Sequence, residues 1–203
     1  MLMINIGPLE VILMLPNKIK RCLLERTIRR ITNTNGIRAA VLVPLLEKDN
    51  SYQILFTKRT NKVRHHKGQI SFPGGSYDET DKTLENTALR ETLEEIGLGK
   101  KAIRILGELD ETRTVTSNYI VSAYVGYINH SQITYKIQED EIDELIEVPL
   151  TALLDPSIFR EEMITHEDKK RSVLYYHYEQ HVIWGATARI LKQLLDIIAP
   201  LIK

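Results

Sequence analysis

The apolar residues of this chain are grouped in ways that separate strands from helices. From Gly36 the segment IRAAVLVPLL is nearly continuous in apolar side chains, and SYQILFT follows after the charged break Glu47 to Asn50. An unbroken apolar run predicts a strand covered on both faces, and the short polar interruption predicts a hairpin through a buried sheet. Residues 58 to 71 lose the apolar signal and read as a polar, basic loop. A turn at Phe72 to Gly75 comes next, then a helical pattern that stops at Gly97, a residue suited to the position just past a helix end. Further strands are predicted at 102 to 109, at 119 to 128 and at 143 to 148, the last closed by Pro149. The run SVLYYHYEQHVI reads as one more strand, and the chain finishes in a helix near 184 to 198. Strands, helix, strands, helix is the order of a mixed sheet with helices packed against it.

The first fifteen residues, MLMINIGPLEVILML, are apolar but lack a basic start, contain Pro8 and Glu10, and fall short of the roughly 20 residues a spanning helix needs. They read as an extension or a packing strand, with no membrane role. Asn17 to Ile31 follows as a basic amphipathic helix packed on the domain. At 203 residues the chain suits one domain, placed at 35–203, with residues 1–34 as an N-terminal extension. Its 27 basic and 27 acidic residues balance, so bulk charge argues for neither a nucleic-acid nor a membrane partner. The single cysteine, Cys22, excludes a disulfide framework and fits a reducing cytoplasm.

Local charge is another matter. Glu91, Glu94 and Glu95 share one side of the helix before Gly97, since i, i+3 and i+4 are surface neighbours. Like charges at that spacing repel, and carboxylates near a helix C-terminus also oppose its dipole. Taken alone the cluster is a solvated face; set beside the Gly74-Gly75 turn it also suits a hard divalent cation with oxygen ligands. The loop KRTNKVRHHK, residues 58 to 67, holds five Lys or Arg and no acid, which suits phosphate. By itself it is equally a surface loop for any polyanion, RNA included.

The sequence Arg90-Glu91-Thr92-Leu93-Glu94-Glu95-Ile96-Gly97-Leu98 resembles the C-terminal half of the Nudix box, the signature of hydrolases that cleave nucleoside diphosphates linked to another group. The interval from Gly75 to Arg90 is one residue longer than usual, with Asp78 and Asp81 inside it. That spacing is similar to the coenzyme A pyrophosphatase branch. So is the preceding stretch: Leu55, Phe56, Thr57, Lys58, Arg59 and Thr60, then Arg64, Gly68 and Phe72 to Gly75 fall in register with the branch signature, with Phe56 and Thr60 as departures. Ile183 to Arg189, IWGATAR, is similar to a third block of the branch.

The resemblance implies an α/β Nudix fold, an α/β/α sandwich with a mixed β-sheet and a catalytic strand-loop-helix-loop motif. It implies metal-dependent hydrolysis of coenzyme A or acyl-coenzyme A to 3′,5′-ADP and (acyl-)phosphopantetheine. Other substrates of the same chemistry, such as NADH, ADP-ribose or a dinucleoside polyphosphate, and a non-catalytic nucleotide-binding module, are the alternatives. Magnesium or manganese would be held by Glu91, Glu94, Glu95, a backbone carbonyl at Gly75 and, from the acidic run 139 to 144, Glu141. Glu91 could also take a proton from water, and Arg90 would brace Glu94. Arg59, Arg64 and Lys67 would meet the substrate's phosphates. Asn118 stands where the branch has glycine and Ala123 where it has proline; Asn tolerates positive φ, so the turn is expected to survive. Trp184 and the tyrosines at 175, 176 and 178 read as core or as the surface of a homodimer.

Overall fold

The computed structural model describes residues 8–32, 35–62, 67–115, 117–129, 133–166 and 169–202. At its centre is β1 (Ile37–Lys48), the apolar run, flanked on one side along its whole length by the parallel strand β7 (Tyr119–Asn129). Its other edge is shared: β2 (Ser51–Arg59) pairs with its C-terminal end, and the short β4 (Gly74–Ser76) with Ala39 to Val41, both antiparallel. β3 (Ile70–Ser71) and β8 (Ile142–Pro149) add to β2, while β5 (Arg104–Glu108) and β6 (Thr112–Arg113) add to β7, giving a mixed eight-stranded sheet. A second, antiparallel sheet holds β9 (Phe159–His166), β10 (Lys169–Tyr178) and β11 (His181–Trp184).

Burial on both faces explains why β1 reads as unbroken apolar sequence. Val43 and Leu45 join a core with α1 (Pro8–Glu25) and α4 (Gly185–Ile202), while Leu42 and Leu46 point the other way, onto α2 (Leu84–Ile96). The one-turn α3 (Leu150–Leu153) closes the larger core. The expected hairpin of β1 and β2 and the mixed α/β architecture are found as the sequence predicts.

Four local expectations are corrected. Residues 8–15 belong to helix α1 rather than to a packing strand, and the helix ends at Glu25 instead of continuing to Ile31. Leu15, Ile19 and Leu23 of this helix are buried in the larger core. Part of the basic loop is sheet: β2 runs to Arg59, and β3 occupies 70–71. The run SVLYYHYEQHVI is two strands, folded back at a turn where Glu179 takes φ 51°. β9 was not foreseen, because its residues are mostly exposed and carry no alternating apolar pattern.

Residues 26 to 31 leave α1 in extended form and are tied to the strand ends by charge. Asp110 accepts from Arg26 (2.6 Å), from the Arg29 side chain (2.7 Å) and from the Arg29 N–H (3.1 Å). Buried Glu111 accepts from the Ile31 N–H at 2.6 Å and pairs with Arg38. Burial works against the Glu111 carboxylate, but hydrogen bonds from Arg38 and Ile31 outweigh it and hold its pKa below the ordinary value.

Candidate active site

Phe72 and Pro73 set the site's floor. Phe72 is buried and stacks on Phe56 of β2 at 4.9 Å, and the Pro73 carbonyl accepts from the Leu42 N–H at 2.9 Å. That pinned turn delivers Gly74 and Gly75 to the edge of β1. The residue interval between Gly75 and Arg90 contains a short 3-10 turn, Glu79–Asp81, in which Asp78 and Asp81 cap each other's backbone. α2 then starts at Thr83, whose side chain caps the Asn86 N–H, and stops at Gly97, at φ 76°.

Asp81 is the pivot of this arrangement. It is buried, accepts from Arg90 Nε at 2.8 Å and Nη2 at 3.1 Å, and takes the Thr87 hydroxyl at 2.8 Å. Those hydrogen bonds, Arg90 first, hold its pKa down to about 2. Arg90 in turn reaches Glu91 and Glu94, each at 2.9 Å, and the Ser76 carbonyl at 3.2 Å. One guanidinium therefore fixes the turn and the glutamate face together.

The three glutamates do not share one environment. Around the helix Glu94 and Glu95 lie on opposite sides of Glu91, roughly 100° apart. Glu95 turns toward the sheet and is 4% exposed, while the Glu94 side chain is 57% exposed. Burial pushes the Glu95 carboxyl up to about 8, against the opposing pull of Arg59 and of the Gly74 N–H, which donates to it at 3.2 Å. Burial also raises Glu91, against the pull of Arg90. Glu91 rests directly on Gly75: a Cβ built there would lie 2.5 Å from its carboxyl carbon.

Arg59 sits at the end of β2, where the pairing with β8 shifts register between Lys58 and Arg59. Such irregularities re-aim side chains. Its guanidinium stands 3.5 Å from Glu95 and 3.4 Å from Glu141. Glu91, Glu95, Gly75, Arg59 and Glu141 line a single cavity of about 960 Å³, within the size range of small-molecule sites. Arg90 and Glu94 stand behind it. Lys67 is exposed in the turn before β3 and is not among the described lining residues, whereas Lys62 is. Arg64 lies outside the described residues.

Among the described residues no three acidic, histidine or cysteine side chains converge in a ready ion cage. The donor set nonetheless fits a hard divalent cation. Glu95 is buried and Glu91 half-buried, each with only partial compensation, and the glycine at position 75 leaves Glu91 room at the backbone.

Other wall residues were not read as site residues in the sequence, and Trp184, expected in the core or on a dimer surface, is one of them. Arg171 of β10 and Trp184, 45% exposed at the end of β11, face the same cavity, as does Arg189 of α4. Arg189 and Trp184 could have been found through the IWGATAR block; nothing in the KKR run marked Arg171. Tyr176 is core, as expected. Asn118 takes φ 55°, so the turn before β7 keeps a left-handed residue without glycine.

Comparison with known proteins agrees with this architecture. The NUDIX domain model matches residues 36–170. NudL of Photorhabdus laumondii subsp. laumondii, described as an uncharacterized Nudix hydrolase, is 34% identical over 166 residues, covering 82% of this chain and 87% of the relative. NudL of Escherichia coli O1:K1 / APEC, described in the same words, is 35% identical over 172 residues, 85% of this chain and 88% of the relative. The crystal structure of a MutT/nudix family protein from Enterococcus faecalis superposes with a TM-score of 0.53 at 14% identity, covering 88% of this chain and 68% of the other, a likeness of fold.

Proposed function

The chain belongs to the Nudix family of hydrolases, and from that premise we propose that it cleaves the diphosphate of coenzyme A or an acyl-coenzyme A, releasing 3′,5′-ADP and (acyl-)phosphopantetheine. One observation supports the substrate: the branch signature from Leu55 to Gly75 is followed by the Arg90 to Leu98 motif, and Arg59 and Gly75 of the first line one cavity with Glu91 and Glu95 of the second. Glu91 and Glu95, with Glu94, Glu141 and the Gly75 carbonyl, are the groups that would hold Mg²⁺ or Mn²⁺. Bound there, the cation supplies charge neutralisation on the diphosphate and polarises the attacked phosphorus.

The protein's own residues do the rest. Glu91, half sheltered beside the glycine turn, is placed to accept a proton from the attacking water as a P–O bond to the bridging oxygen breaks. Arg90 fixes the Glu91 and Glu94 carboxylates from behind. Arg59 and Lys62 present positive charge to the substrate's phosphates, Arg59 exchanging its long contacts with Glu95 and Glu141 for shorter ones to the ligand. No helix among the described residues is long and apolar enough to cross a membrane.

Product analysis with coenzyme A, NADH, ADP-ribose and a dinucleoside polyphosphate tests the reading. Coenzyme A is expected to give the highest kcat/KM, with 3′,5′-ADP as a product. Cleavage of any of the others at equal or better kcat/KM would remove the coenzyme A assignment and leave the family chemistry.

A further inference from the structure

Among the described residues, two arginines stand in the cavity wall with no acid to answer them. Arg171 and Arg189 line the same space as Glu91, Glu95 and Glu141. Arg59 and Arg90, by contrast, both face carboxylates. Among the described residues neither wall arginine forms an ion pair, and the one neighbouring charge that bears on Arg189 is Arg171. Arg189 is half-buried and donates from Nη2 to the Arg113 carbonyl at 2.9 Å, which leaves most of its five donors unused. Two like charges held together in a half-buried wall repel, and an anion between them relieves the repulsion.

We propose that Arg171 and Arg189 form a second anion subsite, which takes a phosphomonoester of the substrate separate from the diphosphate at the glutamates. Paired guanidinium forks match a doubly charged phosphate bidentately, and the first turn of α4, also in the wall, adds the positive end of a helix dipole. The inference rests on reading the cavity as a site for nucleoside diphosphate derivatives. Applied to coenzyme A, it assigns the ribose 3′-phosphate to this subsite and gives the protein a means of rejecting NADH and ADP-ribose, which lack that group.

Calorimetric titration with adenosine 3′,5′-bisphosphate and with 5′-AMP reads the subsite without turnover. The bisphosphate is expected to bind wild-type protein at least tenfold more tightly, as an added charge-assisted contact implies. Arg171→Gln and Arg189→Gln should each bring the two ligands to within about threefold, with Arg189→Lys keeping more of the preference. Thermal melts check that each variant folds, and Arg171→Gln leaves the Arg189 bond to Arg113 in place. Equal binding of the two ligands by wild type, or a preference that survives both glutamine variants, overturns the subsite. A parallel assay compares kcat/KM for coenzyme A and its 3′-dephospho form. An arginine-dependent bisphosphate preference in a protein that does not cleave coenzyme A supports the subsite and rejects the coenzyme A reading. Cleavage of both forms with equal kcat/KM rejects the subsite and keeps that reading.

Discussion

Glu91 can rest where it does because residue 75 has no side chain. A Cβ at that position would meet all three terminal atoms of the Glu91 side chain, at 2.5 to 2.7 Å. Gly75→Ala is therefore expected to displace a carboxylate while the sheet pairing of β4 survives. Misplacement of a reacting group by about 1 Å can cost on the order of 100-fold in rate. The variant should thus lose roughly 10- to 100-fold in kcat while melting within a few degrees of wild type; unchanged kcat would show that Glu91 has no need of that seat. Asp81 makes a different case, because its effect is on stability. Its folded pKa, near 2, is depressed below the unfolded value of 3.8. Its contribution is therefore complete above about pH 4 and is lost as pH falls toward 2. Asp81→Asn is expected to cost about 1–3 kcal/mol at neutral pH, and the difference from wild type should shrink in denaturant titrations carried out from pH 4 down to pH 2. A constant difference across that range would assign the loss to packing instead.

Among the elements, α1 and the arm after it depart furthest from what their sequence suggested. Periodicity marked residues 17 to 31 as a basic helix, yet it cannot tell arginines that face water from arginines that meet buried acids far along the chain. The acids are Glu108, Asp110 and Glu111, and their partners Arg26, Arg29 and Arg30 stop following the helix once those contacts become available. Tertiary pairing overrides the local propensity there. The central strands were legible for the opposite reason: β1 is buried on both faces, so its composition alone declares it. β9, mostly exposed, had nothing to declare. The packing of α1 has a direct consequence. Ile19 is fully buried, and Ile19→Ala should destabilise by about 2–5 kcal/mol. Asp110→Asn, which strips charge from the partner of Arg26 and Arg29, should cost about 1–3 kcal/mol. Chemical denaturation measures both, and values near zero would make residues 8 to 31 a dispensable attachment.

For the molecule as a whole, the site is assembled from segments that one contiguous motif represents only in part. Gly75, Glu91 and Glu95 lie within a short span, so their spacing could be read directly. Arg59 and Glu141 are brought to them by β2 and by the start of β8, and Arg171 and Arg189 by the second sheet and α4. Spacing along the chain carries no information about such meetings: Arg59 and Glu141 were named through the family resemblance alone, and Arg171 and Arg189 were not named as site residues. The same assembly puts Glu91, Glu95 and Glu141 in one cavity wall, with Arg59, among the described residues, between Glu95 and Glu141. A cation that binds the folded protein alone must stabilise it, by about 2.7 kcal/mol at one hundred times its dissociation constant. Millimolar Mg²⁺ or Mn²⁺ is therefore expected to raise the melting temperature and excess chelator to reverse the rise, with hydrolysis lost in parallel. Glu95→Gln should abolish most of the increment, because it removes the most buried of the proposed oxygen ligands, whereas Glu94→Gln, at an exposed carboxylate already held by Arg90, should remove less. Thermal shifts of equal size in both variants and wild type would place the cation elsewhere on the protein and detach the glutamate face from the chemistry assigned to it.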